Sequence, residues 1–131
     1  MSHFTVFLSK IGNLTPELLQ KAVELFVQSL PVGTRVFYKQ IPDYYGEMKS
    51  VIVGFQTPTM RYPIGFKLEN GVLAVAGDGF GAQNEFDRFK EMAMSGQITN
   101  AYLIALRAQQ ENMTMQMSVV EDKIVLEMEV N

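Results

Sequence analysis

Residues 62–82 read YPIGFKLENGVLAVAGDGFGA, and this stretch decides how the chain folds. Ile64, Phe66 and Leu68 alternate with Gly65, Lys67 and Glu69, the period of a strand with one buried face. Asn70-Gly71 follows at once. Both central positions of a type I′ turn need positive φ, and this pair is a strong signal for a two-residue hairpin. The strand that returns is rich in valine and alanine. Gly77, Gly79 and Gly81 break it before a helical pattern begins, which is where loops often bind ligands.

Working outward, the N-terminal side predicts a strand over Phe4 to Ile11 and a helix that starts at Asn13-Leu14-Thr15-Pro16-Glu17. Thr15 suits the cap, Pro16 the first helical position, and Glu17 the positive end of the helix dipole. Leu18, Ala22, Leu25, Phe26 and Leu30 then share one helical face, until Pro31 and Gly33 end it. Strands are expected over Thr34 to Ile41 and Lys49 to Gln56, joined by an aromatic loop, Pro42-Asp43-Tyr44-Tyr45-Gly46.

Downstream, Asn84 is a candidate helix cap, with Asp87 three residues on in a capping-box-like position. Phe86, Phe89, Lys90 and Ala93 keep helical spacing, and Gly96 is a point where the element kinks or divides. Ile98, Ala101, Tyr102, Ala105 and Ala108 continue the apolar stripe. Met113, Met115, Met117 and Val119 then alternate with polar residues, and after Glu121-Asp122 so do Ile124, Leu126, Met128 and Val130. The expected order is β-α-β-β-β-β-α-β-β. Helices set among hairpin-joined strands give an α+β fold: an antiparallel-rich sheet with two main helices packed on one face. No repeat, low-complexity tract or linker interrupts residues 1–131, so a single domain is expected.

Composition narrows the functional classes. Of 131 residues, 47% are hydrophobic and 19% charged, which argues against disorder. The net charge of −3 and the lack of any lysine or arginine run leave little to grip nucleic acid electrostatically. There is no cysteine, hence no disulfide or thiolate metal site. No apolar run reaches the roughly 20 residues of a membrane span, and MSHFTVFLSK lacks the features of a secretory leader. A soluble cytoplasmic protein with no membrane partner is the plain expectation.

The opening Met1-Ser2-His3-Phe4-Thr5, the strand carrying Ile64-Gly65-Phe66 and the valine-rich strand leading to Asp78 form one set of features. Phe89, Gln97, the alanines through Ala108 and a terminal hairpin extend it. Together they resemble the plastid and bacterial family called hypothetical chloroplast open reading frame thirty-five, whose function is unknown. The resemblance implies a small α+β fold and no particular activity. Gly79-Phe80-Gly81 stands where members usually carry tryptophan after the aspartate, and Thr99 where they tend to carry tyrosine. Pro31 to Met60 has no alignable counterpart.

Candidate chemistry is sparse. Gly77-Asp78-Gly79-Phe80-Gly81-Ala82 fits G-x-G-x-x-A between a strand and a helix, where backbone amides approach phosphates. A dinucleotide site also needs a parallel βαβ unit with an acidic residue about 20 positions on, and the region around Gln97 to Thr99 reads as helix instead. A plain strand-to-helix connector is the competing reading. His3, the one histidine, has no visible partner for acid–base work. No serine lies in a nucleophile motif, and no compact carboxylate cluster suggests a metal. The methionine stripe reads as core, with an adaptable binding face as its alternative.

Tyr38, Tyr44, Tyr45 and Tyr62 with Arg35, Lys39, Lys49 and Arg61 form the best candidate contact patch, since aromatic rings beside cations can stack bases and hold phosphates. Neither a catalytic residue nor a cofactor is expected. The leading expectation is a non-enzymatic binding or assembly module that engages a protein partner or a second copy of itself. The alternative is a nucleotide or single-stranded nucleic-acid binder. The residues expected to line a ligand site are Asp78, Gly79, Gly81, Tyr44, Tyr45 and Arg61.

Overall fold

The structure is a computed structural model and describes residues 4–8 and 14–130. Its elements run β1 (Phe4–Leu8), α1 (Pro16–Val27), β2 (Arg35–Pro42), β3 (Met48–Gln56), β4 (Ile64–Glu69), β5 (Val72–Asp78), α2 (Gln83–Met94), α3 (Gln97–Gln110), β6 (Met113–Val120) and β7 (Lys123–Val130). The class is α+β. Five strands form one sheet in the order β1-β5-β4-β3-β2, and β6 and β7 form a second. Every pairing is antiparallel.

The Asn70-Gly71 turn forms, with φ of 54° and 77° at its two central residues. It joins β4 to β5 in the middle of the larger sheet, and β5 is buried from Leu73 to Asp78. The helix start at Thr15 also forms. Its side chain accepts the Leu18 N–H at 3.1 Å, and Pro16 is the first helical residue.

Three expectations are corrected. The segment expected to make one C-terminal helix makes two, because Gly96 lies in the left-handed region at φ 84° and ends α2 while capping α3. Asn84 does not cap α2. The cap is Ala82, which offers no side-chain acceptor, and Gln83 instead bonds Asp87 at 2.9 Å inside the first turn. The buried face of α1 is also rotated slightly. Leu19 and Val23 join Ala22 and Phe26 in the core, while Leu18 and Leu25 are half-buried. His3 and the expected strand end at Ser9 to Ile11 lie outside the described residues.

The two faces of the large sheet are built differently. One carries Val53, Phe55, Ile64, Phe66, Leu73 and Val75, in a single core cluster with side chains of all the helices. Phe55 packs edge-on against Phe89, ring centres 5.1 Å apart, and tilts against Phe26 at 5.8 Å. The alternate positions carry Gly54, Gly65, Ala74 and Ala76. Register sets Gly54 beside Gly65 and Gly65 beside Ala76, a row of small residues across three strands.

Ile41 and Val51 fill that row. A Cβ on Gly65 would stand 2.5 Å from Val51 Cγ1 and 2.8 Å from Ile41 Cδ1. One on Gly54 would stand 2.6 Å from the Ile64 carbonyl oxygen and 3.0 Å from Ile41 Cγ2. Close backbone approach therefore needs glycine at both positions. The β2–β3 hairpin reaches this place through a bulge in β3. Between the Tyr38–Val53 and Gln40–Ser50 pairs, Val51 and Ile52 stand opposite the single residue Lys39, which holds φ 70°. A bulge of this kind re-aims the strand beyond it. The outer half of the hairpin consequently crosses behind the sheet and carries its aromatic loop toward β5.

Candidate functional site

Three loops far apart in sequence meet at one end of the sheet, where β4 begins and β5 ends. The β2–β3 loop supplies Tyr44 and Tyr45, the approach to β4 supplies Arg61 and Tyr62, and the β5–α2 connection supplies Phe80. Tyr44 is the hub. Its ring meets Tyr45 at 5.0 Å and Phe80 at 5.7 Å, both edge-to-face, and Tyr62 at 5.9 Å. The Arg61 guanidinium sits 5.4 Å from the Phe80 ring centre. Edge-to-face aromatic pairs contribute about 0.5–1.5 kcal/mol beyond their buried area, so the patch is held by its own rings.

Each loop is fixed by local polar contacts. Asp43 is buried, and its Oδ1 accepts the backbone N–H groups of Tyr45 and Glu47, each at 2.9 Å. This is the local bonding that lets a short aspartate side chain organise a turn. Gln56 Nε2 donates to the carbonyls of Met60 and Arg61, both at 3.1 Å. Glu85, in the first turn of α2, accepts from Thr57 at 2.7 Å and Thr59 at 2.8 Å. These bonds hold the 57–61 turn against α2 and set where Arg61 points.

Gly81 has φ 86°, and a Cβ there would lie 2.9 Å from Arg61 Cδ. The arginine stem thus lies across the glycine, which places its charge over Phe80. Arg61 makes no ion pair with a described residue. Lys49 is different: it pairs with Glu47 at 3.2 Å and lies 5.9 Å from the Phe4 ring.

Asp78 stands beneath the patch, 3% exposed. Its Oδ1 accepts the Phe80 N–H at 3.0 Å, whereas Oδ2 is buried with no hydrogen-bond partner among the described residues. The Gln83 side chain covers Gly79, its Oε1 2.5 Å from where a Cβ would be. The expected site residues Tyr44, Tyr45, Arg61, Asp78, Gly79 and Gly81 therefore come together, joined by Tyr62 from the wider patch.

Other members of that patch lie apart. Tyr38 donates its hydroxyl to Glu24 of α1 at 2.6 Å, and this bond, with burial and the carboxylate charge, raises its pKa above the ordinary value of 10.0. Arg35 stacks on Phe37 at 5.1 Å. Phe80 was not singled out by the sequence as a contact residue. The available signal was a large apolar side chain between two glycines of a loop; it is 38% exposed.

The glycine exit does not head a dinucleotide fold. β5 pairs antiparallel with both β1 and β4, so no parallel βαβ unit presents α2 to a pyrophosphate. Among the described residues no group of three or more carboxylate or histidine side chains could hold a metal, and no helix is long and apolar enough to cross a membrane. No protein-family model, curated protein or solved structure matches the chain.

Proposed function

We propose that this chain is a non-enzymatic binding module that engages a protein partner through Tyr44, Tyr45, Tyr62, Phe80 and Arg61. One observation carries the reading: aromatic rings and a guanidinium that pairs with no described carboxylate, from three separate loops, are packed into a single exposed patch. Tyrosine and arginine dominate the energetic centres of protein interfaces, where a large rigid contact area is presented at little entropic cost. Tyr45 is 80% exposed and rests on the buried Asp43 turn, so its ring is both accessible and positioned. A surface ordered before binding loses less conformational freedom on association. Membership of the family it resembles would add no activity to this reading.

A photo-crosslinking side chain in place of Tyr45 tests it in the full chain inside expressing cells. The expected result is a discrete protein adduct that Arg61→Glu abolishes. The same crosslinker at Val32, which is 99% exposed and remote in sequence, gives none. No adduct at Tyr45, or one that persists in Arg61→Glu, counts against the protein partner. The arrangement also suits base stacking with Arg61 on a phosphate. An oligonucleotide that bound with steep salt dependence, lost on Tyr45→Ala, would replace the protein partner with a nucleic acid.

A further inference from the structure

Neither edge of the β6–β7 hairpin pairs with a further strand among the described residues, and the chemistry of the β7 edge matches itself. β7 pairs with β6 and with no other strand among the described residues. A two-stranded sheet standing alone is marginal in water, and an unpaired edge is a template for another chain. Of the two edge strands of the large sheet, β1 and β2, β2 is protected by Pro42 and by the register shift opposite Lys39. β7 has neither proline nor register shift.

Its backbone parity follows from the turn. Val120 and Lys123 flank a two-residue connection, Glu121-Asp122, and are register partners. Residues so placed form a hydrogen-bonded pair. Alternation then directs the N–H and C=O groups of Ile124, Leu126, Met128 and Val130 away from β6; at the turn end the Ile124 N–H donates to Gln97 Oε1 at 3.3 Å, and the edge is open from Leu126 onward.

We propose that two copies of this chain associate by antiparallel pairing of β7 with β7, centred on Leu126, to make one continuous four-stranded sheet. Leu126 then faces its own copy and Ile124 faces Met128; the edge residues exchange backbone hydrogen bonds, the Ile124 N–H giving up Gln97 for the Met128 carbonyl of the second copy. On the other face Lys123 stands opposite Glu129 of the second copy, in a close non-hydrogen-bonded pair, and the two-fold repeats the contact. Lys123, Glu127 and Glu129 make no ion pair with a described residue of their own chain, so all are free for this use. Moving the centre to Glu127 would set Glu127 against Glu127, and like charges directly opposite destabilise a sheet. Moving it to Val125 would run the pairing into the turn. Charge and length together select the register.

Side chains opposite each other on paired strands lie on the same face, so both copies place their bodies on one side of the joined sheet. The half-covered inner face, where Met128 is 49% and Val130 80% exposed, gains apolar neighbours from the second copy. Helix α3, on which the hairpin packs, leaves Leu103, Ile104 and Leu106 exposed on the same side of the sheet. Joining the sheets brings the two α3 helices alongside each other.

Sedimentation equilibrium of the full chain over a range of concentrations, with charge-reversal variants, tests the pairing. A dimer is expected. Lys123→Glu and Glu129→Lys should each raise its dissociation constant about tenfold, since the two-fold axis doubles each pair. Combining both substitutions in one chain should restore it, because the pair re-forms with its signs exchanged. In hydrogen exchange the amides of Leu126 and Met128 should be slow in the dimer and fast on dilution. A chain that stays monomeric at the highest concentration reached overturns the assignment. So does a dimer whose affinity ignores both reversals, or whose β7 edge amides exchange freely.

Discussion

The chain contains two hairpins written on one plan, and they meet opposite fates. β4–β5 and β6–β7 both join alternating strands through two residues, Asn70-Gly71 in one and Glu121-Asp122 in the other. The first lies at the centre of the large sheet, flanked by β3 and β1, and β5 is covered on both faces. The second is a sheet to itself. Its inner methionines, expected as core, are only half-buried, and Met117, Val119 and Ile124 at the turn end are the residues that reach the main cluster. Alternation says which residues share a face. Whether anything covers that face depends on neighbours supplied from elsewhere.

The sharpest way to break the contrast is to add one carbon behind the central hairpin. Gly54→Ala would place a Cβ 2.6 Å from a backbone oxygen that cannot move aside, with a loss of about 3 kcal/mol in urea denaturation. Gly65→Ala meets the ends of Val51 and Ile41 instead, and should cost about half as much. Because Ile41 and Val51 carry the aromatic loop, both variants should also loosen Tyr44 from Phe80, read as new mobility of the tyrosine ring signals.

A smaller effect is expected where β5 ends. Asp78→Ala leaves the Phe80 N–H without its acceptor and should lower stability by about 1–2 kcal/mol. Asp78→Asn keeps an acceptor and removes the charge beside the unpartnered Oδ2, so it should lose clearly less. If Asn proves as harmful as Ala in the same denaturation experiment, the role assigned to Oδ1 is wrong.

The smallest change sharpens the other hairpin. Glu121 holds φ 57°, a left-handed conformation that suits glycine far better than a side chain. Glu121→Gly should therefore stabilise the chain by about 0.5 kcal/mol, the relief being partly offset by glycine's extra freedom when unfolded. The equivalent position in the central hairpin is Asn70 at φ 54°, a residue that already tolerates this conformation. A loss of thermal stability in Glu121→Gly would show that the Glu121 conformation carries no strain.

By itself the sequence determined the parts that rest on short-range physics. Thr15-Pro16 starts a helix, Asn70-Gly71 turns a hairpin, and alternation assigns faces to the strands, because capping, positive φ and strand pleating act within a few residues. It did not show that Gly96 divides a helix cleanly or that Ala82 stands at the start of α2, since neighbouring patterns masked both ends. The candidate site was legible as residue types but not as a place. Tyr44 and Phe80 are separated along the chain by three strands and meet only because the β2–β3 hairpin bends at the bulge opposite Lys39 and a row of small residues leaves room for Ile41 and Val51. That meeting was decided by the tertiary structure. A bulge and a close backbone approach take their effect from what lies across the sheet, and no local pattern records it.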